Sequence, residues 1–154
     1  MMNSALRAVD RSAVRQWRDY VWLLMHGLKK LPPATGDMVY RAIKKAPSEL
    51  GESYKTGEEF QCAAFTSTAC KVDALQHFLG TDGPRTICHL HLVEPVARDI
   101  HDFSLFPQEH ELLLPPNMMF EVQGVLNPAP GLYFLQCRQT ETLDEIMSFS
   151  ASHP

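Results

Sequence analysis

The sequence lacks several features that would assign it to a class of protein at once. None of its 154 residues lie in a run approaching the roughly 18 uninterrupted apolar residues of a membrane-spanning helix. The first residues, MMNSALRAVDR, contain no apolar core of the kind found in secretory signals. Basic residues are not in excess, because the formal net charge is −4 and the pI is about 5.9. These absences predict no membrane span and no nucleic-acid binding through a basic field.

The four cysteines give no indication of a structural zinc site. Cys62, Cys70, Cys88 and Cys137 are scattered along the chain and include no C-x-x-C pair. An even number of cysteines permits two disulfides without requiring them. We expect free, buried thiols in a reducing compartment, which is the simpler of the two arrangements.

The residues that are present are typical of one globular domain spanning residues 1–154. Apolar residues make up 45% of the chain and charged residues 21%, which is an ordinary balance for a folded protein. The length is sufficient to bury a core of useful size.

An apolar stripe in the N-terminal part predicts one long helix over residues 4–30. The apolar positions recur at spacings of three and four: Val14, Trp17, Val21, Leu24 and Leu28. Ser4 is placed to cap the start of this helix. Pro32 and Pro33 end it, because proline cannot continue a helix.

After Pro33 the pattern changes to that of β-strands. The predicted strands cover residues 37–44, 58–68, 85–93, 111–114, 120–125 and 132–136, and a short helix is predicted over residues 71–79. Gly80 suits the end of that short helix. Helices followed by mostly strands predict an α+β fold class, with an N-terminal helix packed on a mostly antiparallel β-sheet.

Arg41 lies inside the predicted strand MVYRAI, where an unpaired charge is rarely tolerated. The side chain therefore either faces solvent or contacts an anion. A guanidinium suits a phosphate or a carboxylate, because its planar fork makes two parallel hydrogen bonds to either group.

The hydroxyl residues of FTSTA have two interpretations. Thr68 precedes the predicted short helix, so capping of that helix is the simpler role. The alternative is that Ser67 orients a catalytic group through a hydrogen bond.

Glu109 and Glu111, in QEHE, have one residue between them. On an extended chain, residues at this spacing face the same way, and two neighbouring carboxylates tend to raise the proton affinity of one of them. Such a pair can divide its work between charge stabilisation and proton transfer. A charged loop beside an edge strand is the alternative on spacing alone.

Alternating histidines on a strand raise the possibility of a metal site. The candidate ligands are His89, His91, Glu94 and His101. The glycines expected to flank such a site in small β-barrel metal enzymes are missing, so we expect no metal.

The order and spacing of Arg41, Ser67 and Glu109-x-Glu111 resemble the arginine-specific branch of the mono-ADP-ribosyltransferases. MVYRA is similar to the first conserved strand of that family, and FTSTA is similar to its F-T-S-T-S strand. DIHDFSLFPQEHELLLPPNMMFEV is similar to its E-x-E region, where an isoleucine, a serine and a turn come first. The resemblance covers about residues 17–137. It departs at Ala42 and Ala69, where glycine and serine are usual in the family.

The resemblance implies a core of the ADP-ribosyltransferase type and a role for each residue of the motifs. Arg41 would bind the phosphates of NAD. Glu111 would bind the ribose 2′-hydroxyl and stabilise the cationic sugar, while Ser67 would hydrogen-bond Glu111 and fix its rotamer. Glu109 would orient the guanidinium of the acceptor and take its proton, and Phe106 would pack against that acceptor. The further NAD contacts implied by the resemblance are Tyr40, Phe65, Thr66 and Thr68.

On this interpretation the chain is an enzyme that takes NAD as co-substrate and a protein arginine as acceptor. The alternatives are a non-catalytic NAD-binding module on the same fold and an NAD glycohydrolase, in which water replaces the acceptor. The acidic pI and the missing signal favour an intracellular chain or a delivered effector. The target protein and the oligomeric state are left open by the sequence.

Overall fold

A computed structural model describes residues 1–105, 110–142 and 147–148. Helices cover the N-terminal part of the described chain, and the rest is mainly an eight-stranded sheet. No helix of the described residues is long and apolar enough to cross a membrane.

The N-terminal helical region consists of three pieces. Helix α1 covers Met2–Arg7, a 3₁₀ helix covers Arg11–Trp17, and helix α2 covers Arg18–Lys30. The predicted single helix over residues 4–30 is therefore wrong. The backbone becomes extended at Ala8, and Asp10 caps the 3₁₀ helix by accepting a hydrogen bond from the amide of Ser12.

The two ends of the predicted helix also differ in outcome. Ser4 does not cap the start, because α1 already begins at Met2 and Met1 holds the cap position. The predicted end is confirmed, since α2 stops at Lys30 before Pro32 and Pro33. The apolar stripe faces the core as expected: Val21, Met25 and Leu28 are buried, and Val14, Trp17 and Leu24 pack against them.

The strands form one mixed sheet in the order β2-β7-β8-β4-β1-β3-β6-β5. Their bounds are β1 Met38–Ile43, β2 Glu59–Cys62, β3 Thr66–Ala69, β4 Arg85–His91, β5 Arg98–Asp99, β6 Glu111–Leu114, β7 Met118–Ala129 and β8 Leu132–Thr140. Every neighbouring pair is antiparallel except β4 and β8, which run parallel. The predicted α+β class with a mostly antiparallel sheet is thus confirmed.

The predicted strand over residues 58–68 is in fact two strands with different neighbours. β2 pairs with β7 at one end of the sheet, whereas β3 pairs with β1 and β6 near the other end. The link between them contains Ala64 and Phe65, which are both buried. The chain therefore passes through the core at this point, and the apolar character of the link made it resemble a continuous strand.

A short helix follows β3, as predicted, but it is divided and its apolar face is incomplete. A 3₁₀ turn at Asp73–Leu75 leads into helix α3, Gln76–Leu79. Leu75 is buried, whereas Phe78, which was expected on the same buried face, is 54% exposed. Gly80 ends the helix with a φ of 65°, a conformation that favours glycine.

Two apolar clusters stabilise the sheet. The larger one packs α1 and α2 against strand residues that include Leu114, Phe120 and Leu135, all of which are fully buried. The smaller cluster brings Leu75 of the short helical segment together with strand residues: Ala42, Ala69 and Ile87. This second cluster holds the short helix beside β1 and β3, next to the cleft described below.

All four cysteines are free thiols, as expected, but only Cys88 and Cys137 are buried, whereas Cys62 and Cys70 are half-buried. Burial raises the pKa of Cys88 to about 12, and it also raises the pKa of Cys62 and of Cys137. These thiols stay protonated near neutral pH, so they behave as small apolar side chains.

Candidate active site

Strands β1, β3 and β6 lie side by side and bring three sequence motifs to one cleft. The cleft has a volume of about 180 Å³. Its wall includes Arg41 from β1, Ser67 from β3 and Glu111 from β6. Residues that are 26 and 44 positions apart in the chain (41 to 67, and 67 to 111) are neighbours because their strands are adjacent in the sheet.

Arg41 is half-buried and anchored at the cleft. One of its guanidinium nitrogens donates a hydrogen bond of 3.1 Å to the carbonyl of Ser67. This bond uses one of the five N–H donors of the side chain. Among the residues that the structure describes, no carboxylate forms an ion pair with Arg41. The cleft thus contains a positioned positive charge that can accept an anionic ligand.

The charge of Arg41 also acts on titratable side chains that are buried or half-buried nearby. Burial raises the pKa of Tyr54 to about 12, and the positive charge of Arg41 opposes this rise. The same charge opposes the burial effect on the pKa values of Cys62 and Cys88. The guanidinium is therefore within electrostatic reach of the apolar interior, where screening by water is weaker than at the surface.

The side chains of TSTA alternate between core and cleft, as strand geometry requires. Thr66 and Thr68 are buried, and their hydroxyls donate to the carbonyls of Ala64 at 2.9 Å and Leu112 at 2.8 Å. Ser67 is exposed and lines the cleft. The predicted capping role of Thr68 is wrong, because its hydroxyl joins β3 to β6.

Glu111 is the first residue of β6 and lies opposite Ala69 of β3. Its Oε2 accepts a hydrogen bond of 3.3 Å from the hydroxyl of Ser104. The hydrogen bond expected from Ser67 is not among those of the described residues. The register explains this, since Ser67 lies opposite Leu113 and reaches Glu111 only diagonally.

The segment before β6 forms a turn that presents Ser104. A 3₁₀ turn covers His101–Phe103. Asp99 lies just before it, and its carboxylate accepts hydrogen bonds of 3.0 Å from the amide and from the ring of His101. These contacts with His101 lower the pKa of Asp99, the backbone hydrogen bond contributing most. The site-residue prediction omitted Ser104. Its only signal was its place in the stretch that resembles the E-x-E region.

His110 changes the argument about the two glutamates. Its φ of 45° lies in the left-handed region, so the backbone is not extended at residue 110. Strand alternation therefore does not place Glu109 and Glu111 on the same side. A non-glycine residue in this conformation costs about 1 to 3 kcal/mol, and such strain is often found at functional sites. Glu109 and Phe106 themselves lie outside the described residues.

The predicted aromatic contacts lie away from the described wall of the cleft. Phe65 is 4% exposed and belongs to the larger core cluster. Tyr40 is half-buried and packs edge-on against the ring of His89, with ring centroids 5.2 Å apart. Neither side chain is among the described residues that line the cleft.

The histidines considered as metal ligands have other neighbours. The ring of His89 lies between Tyr40 and Phe134, and burial lowers its pKa. His91 pairs with Asp37 at 3.2 Å. Within residues 1–105, 110–142 and 147–148, no group of three or more potential ligands is arranged to hold a metal ion.

The remaining residues of the cleft wall are small or apolar, and of these only Thr68 was among the site residues predicted from the sequence. They are Ala42, Ala69, Ala74, Leu75 and Phe78, and Thr68 also contributes. Ala42 and Ala69 are the two positions at which the sequence departs from the family pattern. Both have short side chains, and both line the cleft.

The chain is similar to known proteins over most of its length. A family model described as NAD:arginine ADP-ribosyltransferase matches residues 1–135. A protein of Mycobacterium avium (strain 104) that carries the name NAD(+)--arginine ADP-ribosyltransferase Mav is 31% identical over 133 residues, which are 84% of this chain. The chain spans 15% of the length of that relative.

Two solved structures are similar in fold. The ADP-ribosyltransferase Vis from Vibrio splendidus, solved in complex with agmatine, has a TM-score of 0.70 and 22% identity, covering 91% of this chain and 67% of Vis. The ADP-ribosyltransferase HopU1 of Pseudomonas syringae has a TM-score of 0.65 and 23% identity, covering 90% of this chain and 63% of HopU1. These similarities establish the fold, as the resemblance implied.

The hydroxyl of Thr68 provides a direct test of how the site is held together. Thr68→Val keeps the shape of the side chain and removes its hydrogen bond to the carbonyl of Leu112. We expect the free energy of unfolding to fall by about 1 kcal/mol, measured by urea denaturation. The control is Thr56→Val, since Thr56 is exposed. Equal stability of Thr68→Val and the wild type would show that this bond does not hold β3 to β6.

Proposed function

The chain belongs to the NAD:arginine ADP-ribosyltransferase family, and from that membership we propose that it transfers ADP-ribose from NAD to arginine side chains of a target protein. Nicotinamide is the leaving group of this reaction. The observation that carries the proposal is that Arg41, Ser67 and Glu111 line one cleft. The agmatine complex of Vis supports the acceptor class, because agmatine carries a guanidinium group as arginine does.

Glu111 supplies the negative charge that the reaction needs. Cleavage of the bond between nicotinamide and ribose leaves positive charge on the sugar in the transition state. A carboxylate at the cleft wall stabilises that charge most when it is already positioned, since no reorganisation is then required. The hydrogen bond from Ser104 to Glu111 holds one carboxylate oxygen in place.

Arg41 binds the diphosphate of NAD. Its guanidinium is held by the hydrogen bond to the carbonyl of Ser67. Arg41 lies on β1, which is separated from β6 by β3 alone. A guanidinium forms charge-assisted hydrogen bonds with phosphate oxygens and keeps its charge at every physiological pH. Binding the diphosphate at Arg41 places the reacting ribose towards Glu111.

Two hydroxyls flank the carboxylate of Glu111 in this proposal. Ser104 holds Glu111 from the turn before β6, and Ser67 lines the cleft on β3, diagonally across from it. We assign to Ser67 contact with the bound nucleotide and with Glu111 across that diagonal. Thr66 and Thr68 act indirectly, because their buried hydroxyls fix the strand that carries Ser67.

The transfer step exchanges one carbon–nitrogen bond for another. A guanidinium nitrogen of the acceptor forms a bond to C1′ of the ribose, and the bond from C1′ to nicotinamide breaks. The bonding electrons leave with nicotinamide, which departs as a neutral molecule. The proton released by the acceptor nitrogen goes to a base, and we assign this base to Glu109 from the family motif. Phe106 is assigned to contact with the acceptor on the same ground.

Loss of charge at the cleft should slow nicotinamide release. In Glu111→Gln the carboxylate is replaced by a neutral amide, and we expect the rate with NAD and an arginine acceptor to fall about 100- to 1,000-fold.

Arg41→Lys keeps the positive charge but loses the planar guanidinium that can donate two parallel hydrogen bonds to the diphosphate. We therefore expect mainly a higher KM for NAD. The measurement is nicotinamide release over a range of NAD concentrations.

The matched controls are Glu59→Gln and Arg138→Lys. Both residues are exposed on strands away from β1, β3 and β6, so their variants should retain wild-type rates. Wild-type activity in Glu111→Gln would remove the basis of the proposed function. If the wild-type chain binds NAD but never releases nicotinamide, it is a non-catalytic binding module.

Glu109→Gln separates transfer to arginine from hydrolysis of NAD. The base takes a proton from the acceptor and does not assist cleavage of the bond to nicotinamide. Transfer to arginine should therefore be lost, while hydrolysis of NAD to nicotinamide and ADP-ribose persists. The two products are measured in one reaction, as modified acceptor peptide by mass spectrometry and as free ADP-ribose. Transfer at the wild-type rate would show that Glu109 is not the base. Free ADP-ribose without modified peptide in the wild-type reaction would favour the glycohydrolase alternative.

A further inference from the structure

We propose that a groove beside α2 binds an acidic segment of a partner protein, whose apolar side chains insert between the helices. The groove is separate from the cleft of the candidate active site, since none of the described residues that line one lines the other. The inference therefore does not depend on the proposed function. It is based on the shape of the groove, its apolar lining and the charge of the helical region around it.

The groove has a volume of about 450 Å³, which lies within the range of roughly 300–1,000 Å³ that is typical of ligand sites. Its described lining comes from α1, the 3₁₀ helix and α2, together with Asn117 and Met147. Leu6, Val21 and Met25, which also line it, are buried members of the larger core cluster. These three side chains are already covered by the core, so the fold does not depend on a ligand to bury them.

Trp22 is an exposed aromatic side chain on the wall of this groove. It is 56% exposed, and tryptophan is among the residues that contribute most to binding at protein interfaces. Its ring packs against the ring of His26 one turn later, with the centroids 3.7 Å apart. The indole is therefore held in place before a partner arrives, which lowers the entropic cost of binding.

The helical region around the groove is a basic part of an acidic protein. Residues 1–30 contain six basic and two acidic residues, a net charge of +4. Residues 31–154 hold the other 8 basic and 16 acidic residues, a net charge of −8. A partner segment of negative charge is attracted to the helical region and repelled by the charge of the remaining chain, which favours docking at the groove.

Two arginines bring this positive charge to the groove itself. Arg15 and Arg18 are exposed and line it. Among the residues that the structure describes, no carboxylate forms an ion pair with Arg15, and Arg18 pairs only with its neighbour Asp19 at 3.0 Å. The side chains of that pair are 82% and 87% exposed, and such surface pairs contribute little to stability. Both guanidinium groups can therefore pair with carboxylates of a partner.

The shape of the surface favours a protein segment over an anionic membrane. A helix that binds a membrane presents a convex apolar face flanked by basic residues to the lipid. Here the apolar side chains line a concave groove between helices, which fits the side chains of an inserted peptide.

Fluorescence anisotropy of a labelled synthetic peptide tests this surface on the full 154-residue chain. The probe is an amphipathic helix of about 18 residues, with leucines at helical spacing on one face and glutamates elsewhere. We expect Trp22→Ala, Arg15→Glu and Arg18→Glu each to weaken its binding about tenfold. A second peptide with the same leucines but lysines in place of the glutamates should bind at least about tenfold more weakly than the first.

The matched controls are Tyr20→Ala and Lys29→Glu, both on α2. Tyr20 is 56% exposed, as Trp22 is, but it is not among the described residues that line the groove. Lys29 is an exposed cation 11 residues after Arg18, about 16 Å further along the helix axis, which is beyond the range of unscreened attraction at physiological salt. Both control variants should bind the glutamate peptide as the wild type does, and circular dichroism checks that every variant is folded.

Several outcomes would overturn the proposal. They are no binding of the glutamate peptide by the wild type, equal binding of the two peptides, and equal losses in Trp22→Ala and Tyr20→Ala. Self-association that Trp22→Ala abolishes, measured by sedimentation velocity, would make a second copy of the chain the occupant instead. Binding to vesicles of phosphatidylcholine and phosphatidylserine without binding of the peptide would make the occupant a membrane, and either result would contradict a partner protein.

Discussion

The antiparallel pairing of β3 with β6 is the constraint on which the site depends. It sets Glu111 opposite Ala69, and the hydroxyl of Thr68 joins the two strands through the carbonyl of Leu112. β1 pairs with the other edge of β3 and brings Arg41 to the same cleft. A slip of one residue in this register would turn Glu111 towards the core and a leucine towards the cleft. The buried leucines of β6 make that slip costly, so core packing fixes the position of the carboxylate.

Each segment of the site combines side chains that stabilise the fold with side chains that line the cleft. In β3 the two threonines are buried and hydrogen-bonded, and Ser67 between them faces the cleft. Before β6, the ring of His101 is held by Asp99 and Asp102, and this turn presents Ser104 to Glu111. A carboxylate positioned in this way can act on a developing positive charge without first rearranging.

The sequence predicted the strands that carry the site, because Arg41 and Ser67 lie in runs with clear β character. Prediction from the sequence failed where the local structure depends on contacts between residues that are distant in the chain. The break at Ala8 has no glycine or proline to mark it, and the buried link at Phe65 has the same apolar character as a strand. The hydrogen bond from Ser104 to Glu111 depends on how a turn folds back, which neither spacing nor periodicity encodes. Resemblance to a family identified the motifs, but not which hydroxyl contacts the carboxylate.

The central claim is that Arg41 and Glu111 bind opposite parts of one NAD molecule in a single cleft. The most direct measurement is a crystal structure of the Glu111→Gln variant with NAD, in which slow turnover preserves the ligand. We predict that the guanidinium of Arg41 donates to the diphosphate and that the side chain at position 111 contacts the ribose 2′-hydroxyl. NAD bound elsewhere on the chain, or in this cleft with its diphosphate away from Arg41, would contradict the account.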